Sequence, residues 1–269
     1  MLSCNAFSWG RVGAMMVRLW YGTLRSFDRL TDAFYWVTID LILWGVTAGY
    51  IQQQVPSSEL NTYSLFVCGV IMWSIVYRGQ MDIGIGLLDE LWNKNLVNLF
   101  ASPLTVPEWV TSLVIFGFLK NCVALLFGSL VAWILYDFFL FTTLGWYLVP
   151  LFFLLLMNGW WIGFLVQAVI LRVTTKAQAF AWTFVWLLAP LSAIYFPLAT
   201  LPPSLQVVAR LMPTSYIFEE MRSIMRGSPP NWNALGLAGA LTTLYLVCSV
   251  WLMRCAFKRV LNSGLVKVY

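Results

Sequence analysis

Acid–base catalysis, metal ligation and phosphate binding each need particular side chains, and this chain is short of all of them. Its 269 residues contain no histidine, the commonest general base and metal ligand. Asp89 and Glu90 form the one close acidic pair near a predicted inner face. A lipid- or sugar-modifying membrane enzyme would need clustered carboxylates or histidines there, so that pair carries the whole case for one. The five cysteines (Cys4, Cys68, Cys122, Cys248, Cys255) are odd in number, form no CxxC and lie mostly in apolar runs, the pattern of small core residues. No GxxxxGK[ST] occurs, so no loop of this chain cradles nucleotide phosphates. The expectation is a chain with no catalytic residue, no metal and no cofactor of its own.

Asp40 and Lys120 are the clear ionisable residues deep inside apolar runs, at a cost of about 2.5–3.5 kcal/mol each. Such residues face a bundle interior or an aqueous path. Two readings stay open: a mutual Asp40–Lys120 pair, or a contact with substrate or ion. The further acids and histidines of a proton relay are missing around them, which disfavours a proton-driven pump. Of the 15 tryptophans, Trp73, Trp160, Trp161, Trp182 and Trp186 fall within spans rather than clearly at their ends. Trp73, Trp182 and Trp186 are candidate walls of a substrate path, with helix packing as the plainer alternative.

These residues sit in a chain built for lipid. It is 61% hydrophobic and 10% charged, against about 45–50% and about 25% in a soluble domain. The apolar residues come in runs that are apolar on every face, so the class is an all-α integral membrane protein and not a barrel. Six transmembrane helices are predicted, at about 33–52, 60–77, 109–136, 144–171, 177–198 and 234–256. The start has no signal-peptide pattern, so the N-terminus is expected in the mature protein. The net charge of +5 forms no nucleic-acid-type cluster and instead orients the chain. Lys and Arg concentrate in segments that put both termini in the cytoplasm, while the first two outer loops have none. Arg210, Arg222 and Arg226, before the last span, are the exception.

Three segments outside the spans stand out in this single unit of 1–269. In 1–32, Arg11, Arg18, Arg25 and Arg29 fall within about 40° of one helical face, with Val12, Leu19, Trp20, Phe27 and Leu30 opposite, which predicts an interfacial amphipathic helix. In 82–108, Asp89 and Glu90 open a short helix, Glu90 can pair with Lys94 at i+4, Leu88, Leu91, Trp92, Leu99 and Phe100 are apolar anchors, and Pro103 enforces a stop. In 199–228, a stretch too polar to span and too apolar for a free loop is interrupted by Pro202, Pro203 and Pro213, and short re-entrant helices are expected.

DELWNKNLVNLFASPL at 89–104 and FPLATLPPSLQVVARLMPTSYIFEEMRSI at 196–224 resemble the permease subunit of type-2 ABC exporters, a group that moves polysaccharides, lipo-oligosaccharides and drugs. The resemblance covers nearly the whole chain. It implies a cytoplasmic coupling helix in which Asp89, Glu90, Leu91, Trp92, Asn95, Leu96, Leu99 and Pro103 contact or shape the cleft of an ATPase. It also implies an outer gate built by Pro202, Pro203, Pro213, Tyr216, Glu219 and Arg222. The family's usual Asn-Pro is Met212-Pro213 here, which keeps the proline turn. Implied partners are two copies of an ABC ATPase, which would hold ATP and Mg, a second and identical permease, and the lipid of a bacterial or archaeal inner membrane; nucleic acid is not among them. A lipid- or sugar-modifying enzyme and a passive channel or scaffold are the competing readings.

Charge asymmetry makes the topology testable. In an otherwise cysteine-free chain in sealed cells, an impermeant thiol reagent is expected to label a cysteine at position 57 and to miss one at position 94. Labelling at 94 would overturn the orientation.

Overall fold

The computed structural model describes residues 6–54, 62–173 and 177–263. Those residues form helices and 3-10 turns with no strand among them, as backbone that must satisfy its own hydrogen bonds in lipid requires. In chain order the helices are α1 (Trp9–Leu24), α2 (Phe27–Gln54), α3 (Thr62–Trp92), α4 (Leu96–Ala101), α5 (Val106–Tyr136), α6 (Leu140–Leu144), α7 (Leu148–Val173), α8 (Gln178–Leu188), α9 (Pro203–Ala209), α10 (Pro213–Met225) and α11 (Trp232–Ser263).

Among the described residues, five segments are long and apolar enough to cross a membrane: Phe34–Gln54, Tyr63–Trp92, Val106–Tyr136, Leu140–Val173 and Trp232–Val260. The expected fifth span, 177–198, is shorter than predicted. Its apolar helical stretch is Gln178–Ser192, about 22 Å long at 1.5 Å per residue against a hydrocarbon core of about 30 Å. A 3-10 turn at Pro190–Ser192 and Ala193 in the left-handed region (φ 53°) break it.

α3 is the central element. Its most apolar window is 78% buried, whereas the windows of the other four are 22–39% buried and turn broad faces to lipid. At 31 residues it is about 46 Å long. The predicted span ended at 77, but the helix continues to Trp92 through Arg78, Gln80 and Asp82, because these polar groups are turned into the bundle. The Gln80 side-chain amide donates to the Ala181 carbonyl at 3.0 Å, and that of Gln167 on α7 donates to the Ile83 carbonyl at 2.6 Å. Asn158 on α7 donates to Thr242 on α11 at 3.0 Å.

α3 and α7 approach at glycines. A Cβ on Gly159 would lie 2.6 Å from the Val76 carbonyl oxygen and 2.9 Å from the Cα of Gly79, and one on Gly163 would lie 2.6 Å from the Cβ of Ile83. The spacing Gly159-Trp-Trp-Ile-Gly163 puts both on one helical face, the small-residue pattern that lets helices pack closely where no hydrophobic effect drives them together. Gly159→Leu should therefore separate α3 from α7 and lower the melting temperature in detergent. Overpacking typically costs about 1–3 kcal/mol, and backbone is the obstacle here. Gly236→Leu, at an open position, should melt as the unmodified chain does. Equal melting of both variants would refute the close-crossing account.

Candidate functional site

Between the ends of α3 and α5 the chain makes a compact reversal. α3 stops at Trp92, Lys94 takes a left-handed backbone (φ 51°), and α4 adds less than two turns before an extended link from Ser102 leads into α5. The expected separate helix beginning at Asp89 is thus two pieces: Asp89, Glu90, Leu91 and Trp92 close α3, while Asn95 caps α4. The predicted Glu90–Lys94 pair is not formed. Lys94 is exposed at the turn, and Glu90 points inward. Leu91, Leu96 and Leu99 are buried in the bundle core, whereas Asn93, Lys94, Asn98, Ala101, Ser102 and Pro103 are exposed. Of the predicted apolar anchors, Leu88, Leu91 and Leu99 are therefore spent on holding the segment to its own bundle, Trp92 is 46% exposed, and the Phe100 side chain lies outside the described residues.

Two buried carboxylates fix this reversal at its two ends. Glu108 begins α5, and its side chain has no exposed surface. It closes a capping box with Thr105, whose N–H donates to Glu108 Oε2 at 2.8 Å. It also accepts from the Ser8 N–H at 2.7 Å and from Arg11 through both Nε (3.0 Å) and Nη2 (2.6 Å). At the other end, Glu90, 6% exposed, accepts from Arg18 at 2.7 Å and from the Asn95 amide at 2.7 Å. Arg11 and Arg18 are seven residues apart on α1, two turns on one face. α1 is thereby clamped across the reversal by two charge-assisted pairs, the strong class of hydrogen bond.

On the arginine face of α1, Arg11 reaches the buried Glu108, and Arg18, itself exposed, reaches the buried Glu90. Trp9, Val17, Trp20, Tyr21 and Leu24 are the exposed large apolar side chains of α1, as suits a helix whose apolar side lies on lipid. α1 ends at Leu24, earlier than the predicted 32, and Phe27 already belongs to α2. The structure also supplies two participants the sequence reading did not assign. Thr105-x-x-Glu108 is a legible capping signature, but its partner Arg11 is 97 positions away.

The predicted outer-gate residues come together. Pro202 and Pro203 open α9 and Pro213 opens α10, so they start helices rather than interrupt them. Tyr216 donates to the Arg210 carbonyl at 2.9 Å. Arg222 is buried, lies 3.0 Å from Glu219 and donates to the Ala193 carbonyl at 2.6 Å, while Glu219 accepts from the Leu198 N–H at 2.5 Å. This i,i+3 pair ties α10 to the break after α8.

The mutual Asp40–Lys120 pair is not formed. Lys120 on α5 forms its ion pair with Asp82 on α3, a residue that the prediction placed in the cytoplasmic connection. Asp40 lies elsewhere, on α2 within electrostatic range of Tyr195, whose ring stacks on Trp44 at 4.2 Å. Trp73 is buried, 6.3 Å from the Phe218 ring, and is core. Trp182 and Trp186 are exposed on α8, and Trp182 joins Trp92, Asp82 and Lys120 in lining a cavity of 530 Å³.

A comparison with curated proteins finds no match. The family profile for "ABC-2 type transporter" matches residues 16–225, from α1 through the last turn of α10. That range takes in the double clamp apart from Arg11, the reversal between α3 and α5, and the outer segment through α10. The chain is a multi-pass membrane protein and belongs to the ABC-2 type transporter family.

Proposed function

We propose that this transmembrane permease works in export: two copies, each with an ATPase subunit, move an amphiphilic or glycan-type substrate or a drug out of the cytoplasm or inner leaflet. The observation that carries the reading is the clamped reversal between α3 and α5. It is short, its apolar side is consumed internally, and its exposed side presents Asn93, Lys94, Asn98, Ser102 and Pro103. A segment that transmits the closure of a soluble ATPase must be stiff, and the Arg11–Glu108 and Arg18–Glu90 pairs supply stiffness at both ends. ATP and Mg would be held by the ATPase, since this chain has no phosphate loop.

In this reading α8 and its 3-10 turn make the sixth crossing, completed by the outer segment, so both termini face the cytoplasm. Pro202, Pro203, Pro213, Tyr216, Glu219 and Arg222 hold the outer segment as a gate. The membrane-enzyme alternative loses ground because Glu90 is occupied by Arg18 and Asn95, which splits the Asp89–Glu90 pair.

Two experiments follow. Asn98→Trp and Lys94→Glu alter the exposed face alone and should lower the amount of ATPase co-purifying from native membranes by about tenfold, equivalent to about 1.4 kcal/mol, without changing the permease melting temperature. The docking surface is wrong if no Walker-motif protein accompanies the unmodified chain, or if both variants retain it fully.

The clamp is tested by charge exchange. Arg18→Glu sets a like charge beside the buried Glu90, although water at the 46% exposed Arg18 position screens part of the repulsion. It should lower both melting temperature and ATPase retention, and Arg18→Glu with Glu90→Arg should recover part of both. A swapped chain no better than Arg18→Glu would mean that the pair does not hold the segment.

A further inference from the structure

We propose that the cavity enclosed by α1, α3, α5 and α8 binds an amphiphile whose headgroup is polar but uncharged and carries hydroxyl groups, such as a monoacylglycerol. Its volume, 530 Å³, falls within the range of about 300–1,000 Å³ typical of small-molecule sites. Leu19 from α1, Met81 and Ile85 from α3, and Leu113 and Phe116 from α5 give it apolar walls suited to an acyl chain.

The polar end is set by Lys120, which also lines the cavity. Its ion pair is made through Asp82 Oδ1, and the lysine side chain stays 30% exposed. An ammonium has three N–H donors, so donors remain after Asp82 has taken its share. The carboxylate offers the cavity much less. Its Oδ2 is buried and lies against the backbone of Gly117, where an added Cβ would come within 3.4 Å of it. Ser26, in the turn between α1 and α2, adds a wall hydroxyl that can donate and accept. What reaches the cavity is therefore a surplus of donors, which calls for acceptor oxygens in the ligand, within membrane-spanning helices where ionisable residues are costly and mark function.

Charge then selects among acceptors. Asp82 already balances Lys120, so an anionic headgroup on the ammonium would add an uncompensated charge to a low-dielectric site, with Asp89 on the same wall. A cationic headgroup would meet Lys120 itself. A zwitterion would need an open carboxylate oxygen for its cation, but Asp82 Oδ1 is held by Lys120, Oδ2 is buried, and Asp89 already has a partner. Hydroxyl and ester oxygens meet none of these obstacles, since they accept from the ammonium and leave the fixed pair neutral. At the mouth, Trp92 and Trp182, 46% and 43% exposed, supply apolar rings with a polar edge, suited to the junction of chain and headgroup. Trp92 is held in place by its indole N–H, which donates to Gln178 at 3.2 Å.

The meaning of the site, for cargo or for regulation, rests on the transporter reading, while binding is measured on the full chain without ATPase. Failure of ATPase co-purification would leave the cavity standing, and failure here would leave the docking surface standing. The probe is a monoacylglycerol with a photoactivatable acyl chain, crosslinked to the protein in phosphatidylglycerol nanodiscs and mapped by peptide. Competitors of equal chain length, compared by mole fraction in the disc, are unlabelled monoacylglycerol, the plain hydrocarbon, zwitterionic lysophosphatidylcholine, anionic lysophosphatidylglycerol and a cationic alkyltrimethylammonium. Crosslinks are expected on 81–86 and 113–120. Monoacylglycerol should displace the probe at a mole fraction about tenfold lower than any other competitor, the worth of one hydrogen bond to a charged group. Asp82→Asn leaves Lys120 unbalanced and should turn the preference to lysophosphatidylglycerol. Asp82→Asn with Lys120→Met removes both charges and should erase the advantage of monoacylglycerol over the hydrocarbon. Competition on the unmodified chain decides the headgroup class even where a variant is unstable. Equal displacement by all competitors, preference for a charged one or for the hydrocarbon, crosslinks mapping elsewhere, or a folded Asp82→Asn chain that keeps the original order would each overturn the proposal.

Discussion

Glu90 and Glu108 govern the end of the bundle where α3 gives way to α5. A carboxylate shut off from water is tolerable only when fully engaged, and each of these is engaged by an arginine from α1 together with a local donor, Asn95 for Glu90 and the Thr105 and Ser8 N–H groups for Glu108. The consequence is structural. α1 cannot leave the bundle without stranding two buried charges, and α4, which is too short to be stable by itself, inherits a fixed position from the helices on either side. Local helix propensity explains little of this region; long-range ion pairing explains most of it.

The same logic of satisfied polar groups makes α3 a continuous rod between the two ends of the bundle. Towards its start, Trp73 packs near Phe218 and Cys68 lies against Met221, both on α10. Through its middle, Gln80 and Gln167 bridge α3 to α8 and α7, and at its end Glu90 carries one of the clamps. The close glycine crossing with α7 adds stiffness to this path. In the proposed exporter, a displacement applied at the reversal would reach α10 through one helix rather than through a chain of loops.

How legible this was in the sequence depended on the range of the interactions involved. Composition and apolar run length are enough for an all-α membrane protein, and the proline and Glu-x-x-Arg pattern locates α9 and α10, since those signals are local. The end of α3 was misread because hydropathy falls at Arg78, Gln80 and Asp82, and only the fold shows that these polar groups have partners inside the bundle. The fifth span was drawn too long because an apolar composition continues past Pro190, while the chain itself turns where Arg222 grips the Ala193 carbonyl. Partners for Lys120, Glu90 and Glu108 were beyond reach, as each lies on a helix distant in sequence. The close approach at Gly159 and Gly163 was not read from the sequence, since the residues they meet, Val76, Gly79 and Ile83, lie on a helix distant in sequence.

α1 links the two sites. Arg11 and Arg18 lie on the face that grips the reversal, and Leu19 and Thr23, one residue and about one turn beyond Arg18, wall the cavity that holds Asp82 and Lys120. A helix fixed by charge at one position and lining a pocket at the next turn cannot move at the first without changing the second. The Arg18–Glu90 pair joins α1 to the end of α3, and Asp82 and Trp92 bring that same stretch of α3 into the cavity wall. Any force transmitted through the reversal therefore shifts two walls of the pocket together, and the pocket's shape becomes a function of the state of the clamp.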